Sequence, residues 1–119
     1  MRFFLAVVAM GALSGSCNYG VADISGVPDN PTYTRDVYPL FRDHCLLCHS
    51  VPPDRGAPSY FRLDVYDDTN GVTGAMNMAG SALGDVKSKR MPPSAKGGEG
   101  VGPNGQAMLQ KWFDNGSPQ

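Results

Sequence analysis

The sequence has few of the residues from which metal and catalytic sites are usually built. Its 119 residues include two histidines, three cysteines and one tryptophan. A zinc site would need four ligands, and the sequence has no second Cys/His pair to supply them. The formal net charge is −1, so the sequence has neither the basic excess of nucleic-acid-binding proteins nor a strongly acidic tail. Residues 96–105 are glycine-rich but lack the Gly-Lys-Ser/Thr ending of a phosphate loop. These shortages argue against zinc, nucleic-acid and nucleotide binding.

The sequence also lacks an apolar run long enough for a transmembrane helix, which needs about 20 residues. The apolar stretch Phe3–Leu13 is shorter, and it follows the positively charged start Met1-Arg2. Small residues occupy positions 14–16. This layout is typical of a secretory signal peptide, so we predict that residues 1–16 are removed and that the chain is exported.

Cys17 follows the small residues directly and resembles the acylated cysteine of the bacterial lipoprotein lipobox. That pattern prefers leucine three places before the cysteine, whereas this chain has Ser14 there and Leu13 one step further back. An ordinary signal peptide with an unmodified Cys17 is the alternative. We predict a lipid-anchored tether over residues 17–33 and a folded domain over residues 34–119, on the periplasmic side of a bacterial membrane.

The most informative stretch is Cys45–His49, which reads Cys-Leu-Leu-Cys-His. This is the attachment signature of c-type haem. On a helical turn, Cys45 and Cys48 share a face and can both reach one porphyrin as thioethers. His49 is then the proximal iron ligand, and we expect a carbonyl of the loop 50–58 to accept its other ring N–H. A thioredoxin-like dithiol would need a βαβ context, which is not visible. The sequence therefore predicts one covalently bound haem c.

The second axial ligand is predicted to be a methionine. His44 lies on the same side of the ring as the proximal histidine and cannot cross to the opposite face. Met76 and Met108 fall at helical spacing within apolar faces, where core packing is the usual role. Met78 is less clear. Met91 precedes a proline pair on a stiffened loop, far enough along the chain to wrap round the ring, so we predict iron ligation by His49 and Met91.

Apolar periodicity predicts three helices. The first helix begins after Thr34, which is its N-cap. The second covers residues 75–89. The third begins at Asn104 or Gly105 and ends with Gly116 as its C′ residue. Their apolar stripes are Val37, Leu40, Phe41, Cys45 and Cys48; Met76, Ala79, Leu83 and Val86; and Leu109, Trp112 and Phe113. Residues 60–66 alternate as a short extended piece does, and residues 67–71 predict a turn whose spacing does not fit a calcium loop.

Over Thr34–Pro118 the chain resembles the class I (mitochondrial-type) monohaem cytochromes c. The resemblance is carried by three features: the helix 35–44 leading into Cys45–His49, the Met91-Pro92-Pro93 loop, and the closing helix with Leu109-x-x-Trp112. It implies an all-α fold, a small cytochrome c-type helical fold wrapped around one covalent haem with long loops, in which the first and last helices cross beside the haem. It also implies His/Met ligation. The chain departs from the family in residues 60–74 and in the glycine stretch after Met91.

The resemblance implies a one-electron carrier that is not an enzyme. Its expected partners are redox proteins, acidic at the docking site because basic residues cluster around Met91: Lys87, Lys89, Arg90 and Lys96. A plain solvated face is the alternative for this cluster. A haem-based ligand sensor or small haem enzyme would require the Met91 position at the iron to be open. A cytochrome subunit of a larger oxidoreductase would share the same chemistry.

Overall fold

The structure, a computed structural model, describes residues 23–49, 51–92 and 100–119. A π-helical turn, Tyr33–Val37, continues directly into helix α1 (Tyr38–His44); helices α2 (Ala75–Lys87) and α3 (Gly102–Asp114) follow. These ranges contain no β-strand, only two isolated bridges within residues 61–73. The described chain is therefore small and all-α. No helix in these ranges is both long enough and apolar enough to cross a membrane.

The first helix begins two residues earlier than predicted, because Asp36 reaches back to the chain before it. The Thr32 N–H donates to Oδ2 of Asp36 at 2.8 Å, and the Thr32 carbonyl accepts from the N–H of Val37 at 3.1 Å. This second bond spans five residues, so the first turn is wider than an α-helical turn. The wide turn directly precedes Pro39, which has no N–H to donate and crowds the carbonyl four residues back. A proline so near the start of a helix favours a bend there, and the wide turn is the form that the bend takes.

The predicted turn at residues 67–71 is a two-residue hairpin. Thr69 and Val72 exchange two backbone hydrogen bonds of 2.9 Å each. The two residues between them, Asn70 and Gly71, have φ angles of 51° and 78°. A type I′ turn requires positive φ at both central positions, and Asn-Gly is its preferred sequence. The turn prediction is confirmed.

Helix α2 is continuous through Gly80 and Gly84, although glycine inside a helix is unfavourable and makes a break there more probable from sequence alone. Its buried residues are Ala75, Ala79, Leu83 and Val86. Met76, predicted on this stripe, is half-buried, and Ala75 takes the first core position instead. A Cβ added at Gly80 would lie 3.2 Å from Cε2 of Phe113, so this glycine lets an aromatic ring of α3 approach α2 closely.

Helix α3 ends as predicted, with Gly116 at C′ and a φ angle of 81°. The Gly116 N–H donates to the Phe113 carbonyl at 3.0 Å and the Ser117 N–H donates to the Trp112 carbonyl at 2.8 Å, which is the Schellman pattern. The helix begins at Gly102, slightly earlier than predicted. The prediction that Phe113 shares the core stripe is wrong: Phe113 is 44% exposed, whereas Leu109 and Trp112 are buried.

The core lies where α3 packs against both the π-helical turn and α2. The Trp112 ring, 1% exposed, lies 6.2 Å from the rings of both Phe41 and Tyr33. The Trp112 Nε1–H and the Tyr33 N–H both donate to the Pro118 carbonyl, at 2.8 and 2.9 Å. The first and last helical segments therefore meet at an aromatic cluster, and the carboxyl-terminal tail is tied to it.

The segment before the first helix lies against the domain from Asp23 onward. The Asp23 carboxylate accepts hydrogen bonds of 3.0 Å from the N–H groups of Asn104 and Gly105, at the start of α3. These bonds, the Asn104 bond foremost, hold the pKa of Asp23 below its usual value. The Asn104 side chain also donates to the Ile24 carbonyl at 2.9 Å. The predicted signal peptide 1–16, Cys17 and the rest of the predicted tether before Asp23 lie outside the described residues.

Candidate functional site

In the described part of the chain, a cleft lies between α1 and α2. Its volume is about 860 Å³, which lies within the range of roughly 300–1,000 Å³ typical of small-molecule and cofactor sites. The end of α1 with the turn after it, the loop 55–63 and α2 with the following turn supply its walls. The four predicted haem-site residues all line this cleft: Cys45, Cys48, His49 and Met91.

A tight turn after α1 brings the two cysteines and the histidine to the cleft. The Cys45 N–H donates to the Phe41 carbonyl at 2.7 Å, and the His49 N–H donates to the Cys45 carbonyl at 2.9 Å. The Cys48 N–H also donates to the Cys45 carbonyl, at 3.2 Å. Since each bond spans three or four residues, the helical turn expected for this motif is preserved where α1 ends. The structure thus places the two cysteines and the histidine of the motif on one wall.

The Cys45 side chain is half-buried in the wall of the cleft. Burial raises the pKa of the Cys45 thiol to about 12, and the neighbouring Cys48 adds to the rise. The two cysteines are not joined in a disulfide. Cysteines that work by thiol–disulfide exchange have pKa values of about 3.5–7.5, because the thiolate is the nucleophile. Cys45 therefore does not have the electrostatics of a redox-active dithiol.

The His49 imidazole is buried and neutral. Its side chain is 9% exposed, and burial lowers its pKa. A neutral imidazole is the form that binds a metal. Its Nδ1 atom is buried and makes no hydrogen bond to residues 23–49, 51–92 or 100–119. The expected carbonyl partner is therefore not found among the described residues of the loop 51–58; Ser50 lies outside them. Its ring instead faces Phe61 at 4.9 Å.

Two methionines, Met91 and Met78, line the cleft. Met91 follows α2, where its N–H donates to the Asp85 carbonyl at 3.1 Å. Both methionine side chains are half-buried. Met108 is 2% exposed within the core, in line with its predicted packing role, and Met76 is not among the residues that line the cleft. The sequence predicts Met91 as the second iron ligand and leaves the role of Met78 open.

Sequence reasoning missed two residues near the site, Phe61 and Asp23. Phe61 reaches the site through a fold-dependent contact with His49, which sequence spacing does not reveal. Asp23 contacts the start of α3, where its bond to Asn104 is the main cause of its lowered pKa, and the nearby His44, which lines the cleft, contributes slightly to lowering that pKa. An aspartate so far before its helix gives no local capping signal. Only the tertiary structure identifies these two contributions.

Basic side chains surround the Met91 end of the cleft. Arg90 lines the cleft and pairs with Asp85 at 2.7 Å, and Lys87 donates to the Gln110 side chain at 3.2 Å. Lys89 is exposed. Such exposed pairs contribute about 0–1 kcal/mol each, so they shape the surface charge more than the stability. Lys96 and Pro93 lie outside the described residues.

Within the described ranges, no three His, Cys, Asp or Glu side chains are grouped so that they could hold a metal ion. A site formed by one histidine and one methionine is not such a group. No family model, no curated protein and no solved structure matches this chain.

Proposed function

We propose that this chain is a lipid-anchored c-type cytochrome that carries single electrons. One observation supports the proposal above the others: Met91 lines the same cleft as Cys45, Cys48 and His49, although it is distant from them in sequence. Two thiols, an imidazole and a thioether around one cavity form the ligand set of a His/Met haem c.

The residues of the cleft fit a covalently bound haem. The walls include the apolar side chains of Phe41, Leu63 and Val86, which suit a flat apolar macrocycle. Cys45 and Cys48 would hold the haem as thioethers, and neutral His49 would bind its iron. Bound there, the haem would supply a one-electron iron couple. The apolar walls would limit water access, which is one of the ways a protein sets a reduction potential.

The two axial residues decide between a carrier and an enzyme. If His49 and Met91 both bind the iron of a haem held in the cleft, no iron position would be left for a substrate. A thioether ligand also raises the reduction potential, which suits a carrier in an oxidative chain. The hydrogen bond from the Met91 N–H to the Asp85 carbonyl holds Met91 next to the end of α2. Met78 is the competing ligand, because it lines the same cleft.

The location and partners of the carrier rest on its sequence. We infer export by the signal peptide 1–16 and acylation at Cys17, which would hold the protein at the periplasmic side of a bacterial membrane. The partners would be redox proteins. Exposed Lys89 with its basic neighbours favours a partner that is acidic where it docks. The same arrangement would serve a free carrier or a cytochrome subunit of a larger oxidoreductase.

Haem attachment is tested by extraction with acidified organic solvent. We expect haem to stay on the polypeptide and to be lost from a variant carrying Cys45→Ala and Cys48→Ala. A variant with Met108→Leu, altered in the core but not in the cleft, should retain its haem and serves as the control. Haem that is extracted from the wild-type protein would contradict covalent attachment and, with it, the proposed function.

Ligation by methionine is tested with carbon monoxide and the ferrous protein. We expect the wild-type protein to bind carbon monoxide poorly, because both axial positions are filled. Met91→Ala should bind it readily and show a lower midpoint potential, whereas Met78→Ala should behave as the wild type. The opposite pattern would assign the sixth ligand to Met78. Ready binding by the wild type would favour a ligand sensor or a haem enzyme.

A further inference from the structure

Among the described residues, the His49 side chain has no hydrogen-bond partner of the kind that usually fixes a metal-binding imidazole. Such a histidine normally donates its second ring N–H to a carboxylate, carbonyl or water, which sets the ring orientation and raises the basicity of the ligand. Nδ1 of His49 is buried, and none of the described residues accepts a hydrogen bond from it. In the part of the chain that the structure describes, the contact that can hold the ring is an aromatic one.

Phe61 provides that contact. The centroids of the Phe61 and His49 rings are 4.9 Å apart and the ring planes are inclined by 34°, within the roughly 4.5–7 Å separation of attractive aromatic pairs. Phe61 is itself half-buried and lines the cleft. The exposed Tyr60 ring also contacts Phe61, with a centroid separation of 5.3 Å.

The backbone around Phe61 is fixed on both sides. The Arg62 N–H donates to the Thr73 carbonyl at 2.8 Å, and the Thr73 N–H donates to the Tyr60 carbonyl at 3.1 Å. These bonds attach the segment to the chain that leads into α2. Phe61 is therefore a positioned ring, whose place relative to His49 is set by the fold.

We propose that Phe61 is a positioning residue: it orients the His49 imidazole by ring packing and keeps water away from Nδ1. The proposal rests on the proposed function, since it assigns His49 to the haem iron. A shielded Nδ1–H makes the imidazole a weaker base than one with a hydrogen-bonded N–H. A weaker base stabilises ferric iron less, so Phe61 raises the reduction potential.

The test uses the full haem-loaded protein with Phe61→Leu and Phe61→Tyr. The leucine variant keeps an apolar side chain but loses the ring, whereas the tyrosine variant retains it. Phe113→Leu is the matched control, because Phe113 is an aromatic residue that packs against Gly80 and is not itself among the residues that line the cleft. We measure the midpoint potential, the electron paramagnetic resonance spectrum of the ferric protein, and solvent exchange of the Nδ1 proton by nuclear magnetic resonance.

Phe61→Leu should lower the midpoint potential, shift the g-values and speed exchange of the Nδ1 proton. Phe61→Tyr and Phe113→Leu should match the wild type in all three. If Phe61→Leu leaves all three unchanged, Phe61 only fills space and the proposal is wrong. Should Phe61→Leu fail to fold, Phe61→Met, which keeps apolar volume without a ring, carries the same expectations.

The wild-type protein gives an independent outcome. Slow exchange together with a scalar coupling from the Nδ1 proton to a backbone carbonyl would show a conventional hydrogen bond and would overturn the proposal. Failure of the proposed function is distinguishable, because it would appear earlier as haem that is lost on extraction.

Discussion

The buried hydroxyl of Tyr33 offers a sharp test of how the loop beside the cleft is held. Tyr33 is 6% exposed, and its hydroxyl donates a hydrogen bond of 2.8 Å to the carbonyl of Leu63, a residue that lines the cleft. Tyr33→Phe removes one oxygen and leaves the packing of the ring intact. The Leu63 carbonyl would then lose this partner, which costs about 1–3 kcal/mol for a buried group.

Thermal unfolding of the haem-loaded protein measures this cost. For a domain of this size, each kcal/mol corresponds to a fall in Tm of about 4–8 °C. Tyr60→Phe is the matched control, because the Tyr60 side chain is 66% exposed, and its effect should stay within about 0.5 kcal/mol. If Tyr33→Phe unfolds at the same temperature as the wild type at pH 7, the bond to Leu63 does not stabilise the fold.

The same substitution predicts a dependence on pH. Burial chiefly, and then the nearby Asp64, raise the pKa of Tyr33 well above its usual value. In the unfolded chain this phenol ionises near pH 10, whereas in the folded protein it keeps its proton to higher pH. The stabilisation from Tyr33 is therefore complete below about pH 10 and is lost as the pH rises further. The difference in Tm between wild type and Tyr33→Phe should be constant below about pH 10 and narrow as the pH rises above it; a difference that stays constant above that pH would contradict this cause.

Three further predictions follow from packing, charge and processing. Gly74→Ala should destabilise the protein strongly, since the added Cβ would overlap the backbone carbonyl of Asp67, whereas Gly80→Ala meets only an exposed ring at 3.2 Å and should be neutral or stabilising by up to about 1 kcal/mol; equal melting temperatures would refute the distinction. Lys87→Glu with Lys89→Glu should slow electron exchange with an acidic partner and reduce its dependence on salt; an unchanged rate would exclude the basic docking face. Mass spectrometry should find an acylated amino terminus at Cys17, and a mature terminus elsewhere would exclude the anchor.

Local chemistry explains which parts of the fold were predictable. The predictions of a turn at residues 67–71 and of a helix end at Gly116 were correct, because both features depend on positive φ angles that few residues adopt. The N-cap at Thr34 was wrong, since the carboxylate of Asp36 selects Thr32 instead. The sequence contains both residues, but their spacing alone does not decide between the two starts.

The limits are different at the candidate site. Residues within one turn, such as Cys45–His49, were predictable as a group because their spacing fixes their geometry. Phe113 satisfied the helical spacing of a core residue, yet the actual apolar face of α3 is centred on Leu109 and Trp112, and Phe113 falls at its edge. Phe61 could not be assigned from sequence, because its contact with His49 depends on how the intervening loop folds. Haem binding itself stays a prediction.

The attachment of Asp23 to α3 limits the length of free chain between a lipid on Cys17 and the folded domain. If Cys17 carries the lipid, six residues lead from it to Asp23, and they can span at most about 20 Å. Had the fixed chain begun at Tyr33, the span would have been about 55 Å. With that anchor, the start of α3 would lie near the lipid headgroups, because the Asp23 carboxylate accepts hydrogen bonds from the N–H groups of Asn104 and Gly105. A domain tethered this closely would sample only a thin layer above the membrane. In that layer the effective concentration of partner proteins in the same membrane would be high, whereas that of partners elsewhere would be negligible.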